Sequence, residues 1–129
     1  MNNNKQKYLT SLDTQKARYL IRKVANDVVE KTGYTGELFR DDKTEIISVI
    51  PFSDGTASVL VSVGSRSSID VWLPSNNNDA TDRNMRVRYV LYTEEWNYLL
   101  NEEFFYDYDE FMTDYLYPLK LTVNEEKED

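Results

Sequence analysis

The feature that most constrains the fold is an alternation of apolar and polar residues between residues 44 and 92. A period of two is typical of strands that bury one face. Four such runs follow one another, TEIISVIPF, ASVLVSV, IDVWL and MRVRYVLY, with polar segments between them. Asp54 and Gly55 separate the first two runs and predict a hairpin turn. Because the connections are local, the segment predicts a four-stranded antiparallel meander.

The same alternation assigns the two faces of the predicted sheet. One face is apolar and is expected to meet helices through Val59, Val61, Val63, Ile69, Val71, Leu73, Val87, Tyr89 and Leu91. The other face carries Leu60, Trp72, Arg86, Arg88 and Val90. Trp72 with the two Arg is either a binding patch that acts through cation–π contacts or a cross-strand cluster that shields the sheet.

A helical period precedes the strands. Apolar residues recur at i, i+3, i+4, i+7 and i+11, at Ala17, Leu20, Ile21, Val24 and Val28. This spacing predicts a helix over about 13–32, with Asp13 as N-cap and Gly33 just past the end. The opposite side is basic, with Lys16, Arg18, Arg22 and Lys23. That side is either solvated surface or a contact for RNA or protein.

Composition restricts the chemistry of the chain. Its 129 residues suit a single domain, 1–129, with flexible ends expected at 1–10 and 124–129, and they include neither Cys nor His. Disulfides, thiolate metal sites and histidine-based catalysis are therefore excluded. No metal or cofactor is expected, since the polar loop before the last strand lacks the EF-hand pattern. Without a signal peptide or membrane span, the protein is expected in the cytoplasm of a host cell.

Negative charge is concentrated in the last third of the chain. The whole chain has a net charge of −8, and residues 92–129 carry two Lys against twelve acidic residues. The acidic and apolar pattern before Pro118 predicts helices over about 94–100 and 102–117, because proline ends a helix. The longer helix would pack through Phe104, Tyr108, Phe111, Met112, Tyr115 and Leu116. The expected fold is therefore α+β, with an N-terminal helix, a four-stranded antiparallel sheet and acidic C-terminal helices packed on one face.

Four carboxylates form a second stripe on that predicted helix, at Glu103, Asp107, Glu110 and Asp114. No Lys or Arg lies between Arg88 and Lys120 to pair with them. Like charges at i, i+4 cost a helix a few tenths of a kcal/mol. The stripe is either a solvated face or a surface that enters a basic groove. In the second case the aromatic rings of Tyr106 or Tyr117 stand in for bases, and further charge comes from Glu94, Glu95 and Glu102.

Carboxylate catalysis is a weaker possibility. Asp107, Asp109 and Glu110 are close in sequence, but on a helix Asp107 and Asp109 point about 160° apart. A paired acid and base is poorly supported by that geometry, so no enzyme is expected.

The C-terminal region resembles a known family. Trp96 and Asn97, followed by an acidic and aromatic run that ends in Asp109, Glu110, Phe111 and Asp114, look like the C-terminal helix of small phage-encoded type II anti-CRISPR proteins. The resemblance covers about residues 94–121. It implies a DNA mimic that binds a guide-loaded nuclease where that nuclease reads the motif beside its target. It also implies that Glu103, Asp107, Glu110 and Asp114 are the DNA-like acids.

The leading hypothesis is therefore a non-enzymatic acidic inhibitor of an RNA-guided nuclease or a similar host-defence protein. Its partner would be a basic groove that normally holds nucleic acid, and the C-terminal region itself would not bind DNA, because it repels phosphates. The alternative is an interaction or assembly subunit of a phage or mobile element, bound through the sheet face that carries Trp72, Arg86 and Arg88.

Overall fold

The computed structural model describes residues 8–36, 43–77 and 80–117. The elements are α1 (Thr14–Thr32), β1 (Glu45–Pro51), β2 (Ala57–Ser62), β3 (Ser67–Leu73), β4 (Asn84–Tyr92), β5 (Tyr98–Asp107) and α2 (residues 108–117). The predicted α+β class, the N-terminal helix and the antiparallel sheet are confirmed. The sheet has five strands rather than the expected four. The predicted flexible ends lie largely outside the described residues.

Helix α1 begins and ends where its capping residues predict. The Asp13 carboxylate accepts a hydrogen bond from the Lys16 amide at 2.9 Å. Gly33 has a left-handed φ of 73°, and its amide donates to the Val29 carbonyl. This is the C-terminal geometry in which glycine is favoured, because it has no Cβ. The buried side of the helix consists of Ala17, Leu20, Ile21, Val24, Ala25 and Val28, which confirms the predicted stripe.

The sheet is a meander in which strands β1 to β5 lie in chain order and every neighbouring pair is antiparallel. The β1–β2 hairpin turns at the predicted residues. Gly55 has a φ of 88°, and the Asp54 carboxylate accepts from the Thr56 amide at 3.0 Å. This Asx turn adds to the backbone hydrogen bonds at the tip, where the Phe52 amide donates to the Thr56 carbonyl at 2.9 Å. Local connections therefore account for the whole topology.

The core lies between one face of the sheet and the two helices. The predicted inward residues of β2, β3 and β4 are buried, except that Leu91 is only half-buried. Helix α2 adds Tyr108, Phe111 and Met112 to this core. The ring of Phe111 lies 5.6 Å from that of Tyr19 on α1, measured between centroids. The two helices therefore cover one face of the sheet. No helix among residues 8–36, 43–77 and 80–117 lies on the other face, which we call the open sheet face.

The predicted helices over 94–100 and 102–117 are wrong for residues 94–107. Residues 93–97 form a tight turn, in which the Thr93 amide donates to the Asn97 carbonyl at 2.8 Å and Trp96 has a φ of 64°. Residues 98–107 then form β5, which pairs with β4 from Asn84↔Asp107 to Tyr92↔Tyr98. Only residues 108–117 of the predicted helices are helical.

A shared spacing explains this error. A separation of four residues keeps two side chains on one side of a helix, and, being even, also on one side of a strand. Glu103 and Asp107 therefore fit either structure. The aromatic residues at 104–106 favour a strand, since large rings pack well on a pleated surface, and pairing with β4 decides the outcome.

Candidate functional site

The acidic residues of the C-terminal region are divided by the fold into three groups. Glu94 and Glu95 lie in the turn between β4 and β5, and Glu102 and Glu103 lie in the middle of β5. Asp107 is the last residue of β5, and Glu110 and Asp114 lie on the first two turns of α2. A strand of this length spans roughly 30 Å at about 3.4 Å per residue. The predicted continuous stripe of carboxylates is therefore not formed.

The middle group is neutralised by cations from other elements. Lys31 on α1 forms a salt bridge of 3.0 Å with Glu102. Arg86 on β4 forms one of 2.6 Å with Glu103, which lies diagonally across the β4–β5 pair. Although no cation is near these acids in sequence, sheet pairing and helix packing bring two to them. Glu102 and Glu103 consequently contribute little net charge to the surface.

The last group, which we call the acidic corner, consists of Asp107, Glu110 and Asp114. All three side chains are exposed. The Asp107 carboxylate accepts from the Glu110 amide at 2.9 Å and so caps the N-terminus of α2. Asp114 lies one helical turn beyond Glu110. The pKa of Tyr19 on α1 is raised mainly by burial and secondly by the negative charge of Asp114. The corner thus faces α1 as well as solvent.

A small cavity of about 170 Å³ lies at this corner, between α1, β5 and α2. Its lining includes all three carboxylates together with Lys23, Phe105, Tyr106 and Phe111. The Lys23 ammonium lies 5.5 Å from the centroid of the Tyr106 ring, and none of the salt bridges among the described residues joins it to an acid of the corner. With one lysine against three acids, the corner keeps a net negative charge.

The buried Arg83 guanidinium binds the first turn of α2, next to the acidic corner. Its side chain is 6% exposed, and its Nε and Nη2 donate to the Asp109 carboxylate at 3.1 Å and 3.0 Å. The same guanidinium donates to the carbonyls of Ser75 at 2.8 Å and Tyr8 at 2.6 Å. Its carbon lies 5.6 Å from the centroid of the Tyr108 ring. One residue therefore ties the N-terminal segment, the β3–β4 connection and α2 together.

The aromatic residues next to the corner have different roles from those predicted. Tyr106 faces the helices and donates a hydrogen bond to the Asp27 carboxylate on α1. Burial, and then this carboxylate, raise the pKa of Tyr106. It is therefore a packing residue rather than a free ring. Phe105, which sequence reasoning gave no role, is 64% exposed beside Asp107. Period-two alternation over 98–107 is the signal that would have found it.

Tyr117, the other predicted base-like ring, is exposed at the end of the described part of α2. It lies three residues beyond Asp114, on the same helix as two of the three carboxylates of the acidic corner.

The open sheet face carries the second predicted patch. The guanidinium of Arg86 lies 4.4 Å from the centroid of the Trp72 ring, and Arg88 forms a salt bridge of 3.2 Å with Asp70. With Arg86 also bound to Glu103, each guanidinium has an acidic partner within the chain, while the buried Nε of Arg88 has no hydrogen-bond partner among the described residues. The ion pairs agree with the shielding interpretation. A groove of about 380 Å³ remains beside them, between Trp72 and Phe105.

The carboxylates considered for catalysis have separate partners. Asp107 caps α2 and Asp109 binds Arg83, so the two do not face each other. Among the described residues, no group of three or more acidic residues is arranged to hold a metal ion. None of the helices in the described part of the chain is both long and apolar enough to cross a membrane.

Comparison with protein-family models, with curated proteins and with solved structures finds no match to this chain.

Proposed function

We propose that this chain is a non-enzymatic binding protein that docks on a basic surface of a nucleic-acid-handling protein. The acidic corner and the neighbouring Phe105 form its binding surface. The observation that carries this proposal is the gathering of Asp107, Glu110 and Asp114 around one cavity, where three exposed carboxylates face a single lysine.

The contrast with four neighbouring acids of the sheet and of α2 supports this choice. Glu102, Glu103, Asp70 and Asp109 each have a cationic partner at 3.2 Å or less. The three carboxylates of the acidic corner do not appear in those ion pairs. They are therefore available to pair with another protein, and complementary charge accelerates and orients such docking. An exposed phenylalanine beside them supplies an apolar anchor, since binding energy concentrates on large side chains.

The specific form of the proposal is a DNA mimic. The partner would be the basic groove in which a guide-loaded nuclease holds DNA, as the resemblance of residues 94–121 implies. Three carboxylates and a ring then take the places of phosphates and a base. Four other acids contribute less to this form than the sequence predicts. Glu102 and Glu103 are paired with cations, and Glu94 and Glu95 lie at the far end of β5.

A charge-removal variant tests the binding surface. The triple substitution Asp107→Asn, Glu110→Gln, Asp114→Asn removes the three charges but keeps the cap of α2, because asparagine and aspartate are equally good N-caps. Exposed ion pairs contribute about 0.2–1 kcal/mol each, so three should cost roughly 1–3 kcal/mol, which is on the order of tenfold in affinity. Calorimetric titration of a guide-loaded nuclease measures this loss.

The matched control removes the same number of charges elsewhere. Glu30→Gln, Glu94→Gln, Glu95→Gln changes exposed residues of α1 and the β4–β5 turn. Both variants have the same net charge, so only the position of the removed charges differs. Equal loss of affinity in the two variants would show that overall charge, rather than the acidic corner, drives docking.

A second candidate function is that of an interaction or assembly subunit bound through the open sheet face. The groove between Trp72 and Phe105 favours it, because its lining is mainly apolar, with Leu73 and Pro74. In this case Trp72→Ala should weaken partner binding more than the charge-removal variant does. Sedimentation of the purified protein at several concentrations would also show self-association through this face.

A further inference from the structure

A second concave surface lies at the other end of the sheet from the acidic corner. This groove, which we call the Arg66 groove, has a volume of about 800 Å³. The first residue of β1, the last of β2, the first of β3 and the last of β4 all contribute to it. Small-molecule sites in proteins have volumes of about 300–1,000 Å³. Its size therefore suits a ligand such as a nucleotide.

The charge of the Arg66 groove is opposite to that of the acidic corner. Lys43 and Arg66 both line it and both are exposed. Neither forms a salt bridge with a described residue, whereas Lys31, Arg83, Arg86 and Arg88 each do. One acid, Glu45, also lines the groove. In a chain with a net charge of −8, two cations in one groove without an acidic partner among the described residues indicate an anionic ligand.

The loop that carries Arg66 is held in one conformation. The Arg66 carbonyl accepts from the Tyr92 amide at 2.9 Å, and the Val63 amide donates to the Ser67 carbonyl at 3.1 Å. The Ser62 hydroxyl donates to the Gly64 carbonyl at 3.2 Å. A Cβ on Gly64 would lie 3.0 Å from the Ser67 hydroxyl oxygen, so the loop is packed closely there. A fixed loop reduces the entropy that ligand binding costs.

Two aromatic side chains line the same groove, Tyr34 and Tyr92. The Tyr92 ring stacks on that of Tyr98 on β5, with centroids 5.2 Å apart and planes 23° apart. Ser65 adds an exposed hydroxyl to the lining. The Trp96 ring also contacts Tyr92, with centroids 5.7 Å apart, so Tyr92 belongs to an aromatic cluster at the wall of the groove. A planar ring can lie against Tyr34 and the edge of this cluster while an anionic group lies against lysine, arginine and serine.

We propose that the Arg66 groove binds a nucleoside monophosphate, with Lys43, Arg66 and Ser65 on the phosphate and the tyrosine rings against the base. Glu45 accepts hydrogen bonds from the sugar hydroxyls or from an exocyclic amine. This site lies roughly 30 Å from the acidic corner along the sheet. It does not depend on the proposed docking of the corner, and either can fail without the other.

Titration of the full chain with AMP, followed by amide NMR shifts, tests this site. The expected result is saturable shifts confined to the groove, chiefly in residues 62–67 and at Tyr92. Adenosine and inorganic phosphate, each lacking half of the ligand, should bind at least tenfold more weakly than AMP. Lys43→Gln, Arg66→Gln should weaken AMP binding at least tenfold.

The matched control, Lys16→Gln, Arg86→Gln, removes one lysine and one arginine outside the groove and should leave AMP affinity unchanged. Because all four side chains are on the surface, circular dichroism should show that both variants fold. The inference is overturned if AMP causes no saturable shift at about 10 mM, a concentration well above the dissociation constant expected of a specific site. It is also overturned if the two double variants bind AMP alike, or if the shifts lie on α1 instead.

Discussion

Replacement of Arg83 by methionine tests whether the acidic corner is held by one buried guanidinium. Arg83 is 6% exposed, and its nitrogens bind the Asp109 carboxylate and the carbonyls of Tyr8 and Ser75. Methionine keeps most of the apolar stem but donates no hydrogen bond. The substitution therefore leaves two backbone carbonyls and one carboxylate without their donor.

The size of the stability loss depends on whether water can replace the Arg83 guanidinium as hydrogen-bond donor. Removing one partner of a buried ion pair costs about 3–5 kcal/mol. The Asp109 side chain is 28% exposed, so water partly hydrates the carboxylate after the change. The two carbonyls add about 1 kcal/mol each where water does not reach them. We expect Arg83→Met to lower the free energy of unfolding by about 3 kcal/mol.

Urea unfolding at pH 7, followed by circular dichroism, measures this loss. Arg86→Met is the matched control. Its salt bridge with Glu103 is exposed at 47% and 39% and should be worth less than about 1 kcal/mol, and its contact with the Trp72 ring about 0.5–1 kcal/mol. In the double variant Arg83→Met, Asp109→Asn, the losses should not add, since both residues belong to one network. A loss below about 1 kcal/mol for Arg83→Met, or strict additivity with Asp109→Asn, would show that this guanidinium does not hold the acidic corner through Asp109.

Three further predictions concern the helix and the tyrosines. Asp13→Ala removes the cap on the Lys16 amide and should lower the free energy of unfolding by about 1 kcal/mol in urea, whereas Asp13→Asn should not. Tyr106→Phe breaks the hydrogen bond to Asp27 and should cost about 1 kcal/mol by the same assay; no change would mean that water replaces the bond. Burial raises the pKa of Tyr89 from 10.0 to about 12, so the neutral form is favoured in the folded state. Its contribution to stability should be full below pH 10 and lost as the pH rises to about 12, and Tyr89→Phe should reduce the fall in unfolding free energy measured between about pH 9 and pH 11.5.

The first 92 residues show why periodicity predicts a meander well. Alternation over β2, β3 and β4 fits the register that pairs Val59 with Val71 and Val71 with Val87, and all three side chains are buried. Helix α1 carries matching signals in its stripe and at both caps. Each local preference agrees with the fold, and such agreement is what makes a sequence predictable.

The C-terminal region lacks that agreement. Glu103 and Asp107 are four residues apart, a spacing that both periods accommodate, and acids before an aromatic run also resemble the first turn of a helix. The deciding interaction is pairing with β4, most of whose residues lie well outside any local window on β5. Cross-strand partners of this kind are not visible in a short stretch of sequence.

Charge pairing was mispredicted for the same reason. The absence of Lys and Arg between Arg88 and Lys120 suggested uncompensated acids. In the fold, three of these acids have a cationic partner from another element. Lys31 of α1 binds Glu102, Arg86 of β4 binds Glu103, and Arg83, just before β4, binds Asp109. The acids of the acidic corner lie away from these three cations, and their charges stay exposed. The candidate site is therefore smaller than the predicted stripe, and it includes Phe105.

The proposed function is that the acidic corner occupies a basic groove that otherwise holds nucleic acid. Its most direct test is competition, in which fluorescent target DNA bound to a guide-loaded nuclease is displaced by the chain and followed by anisotropy. We expect displacement that weakens as salt rises, and displacement on the order of tenfold weaker by the variant Asp107→Asn, Glu110→Gln, Asp114→Asn. Target DNA that stays bound in the presence of excess chain, or displacement by the variant equal to that of the unaltered protein, would contradict it.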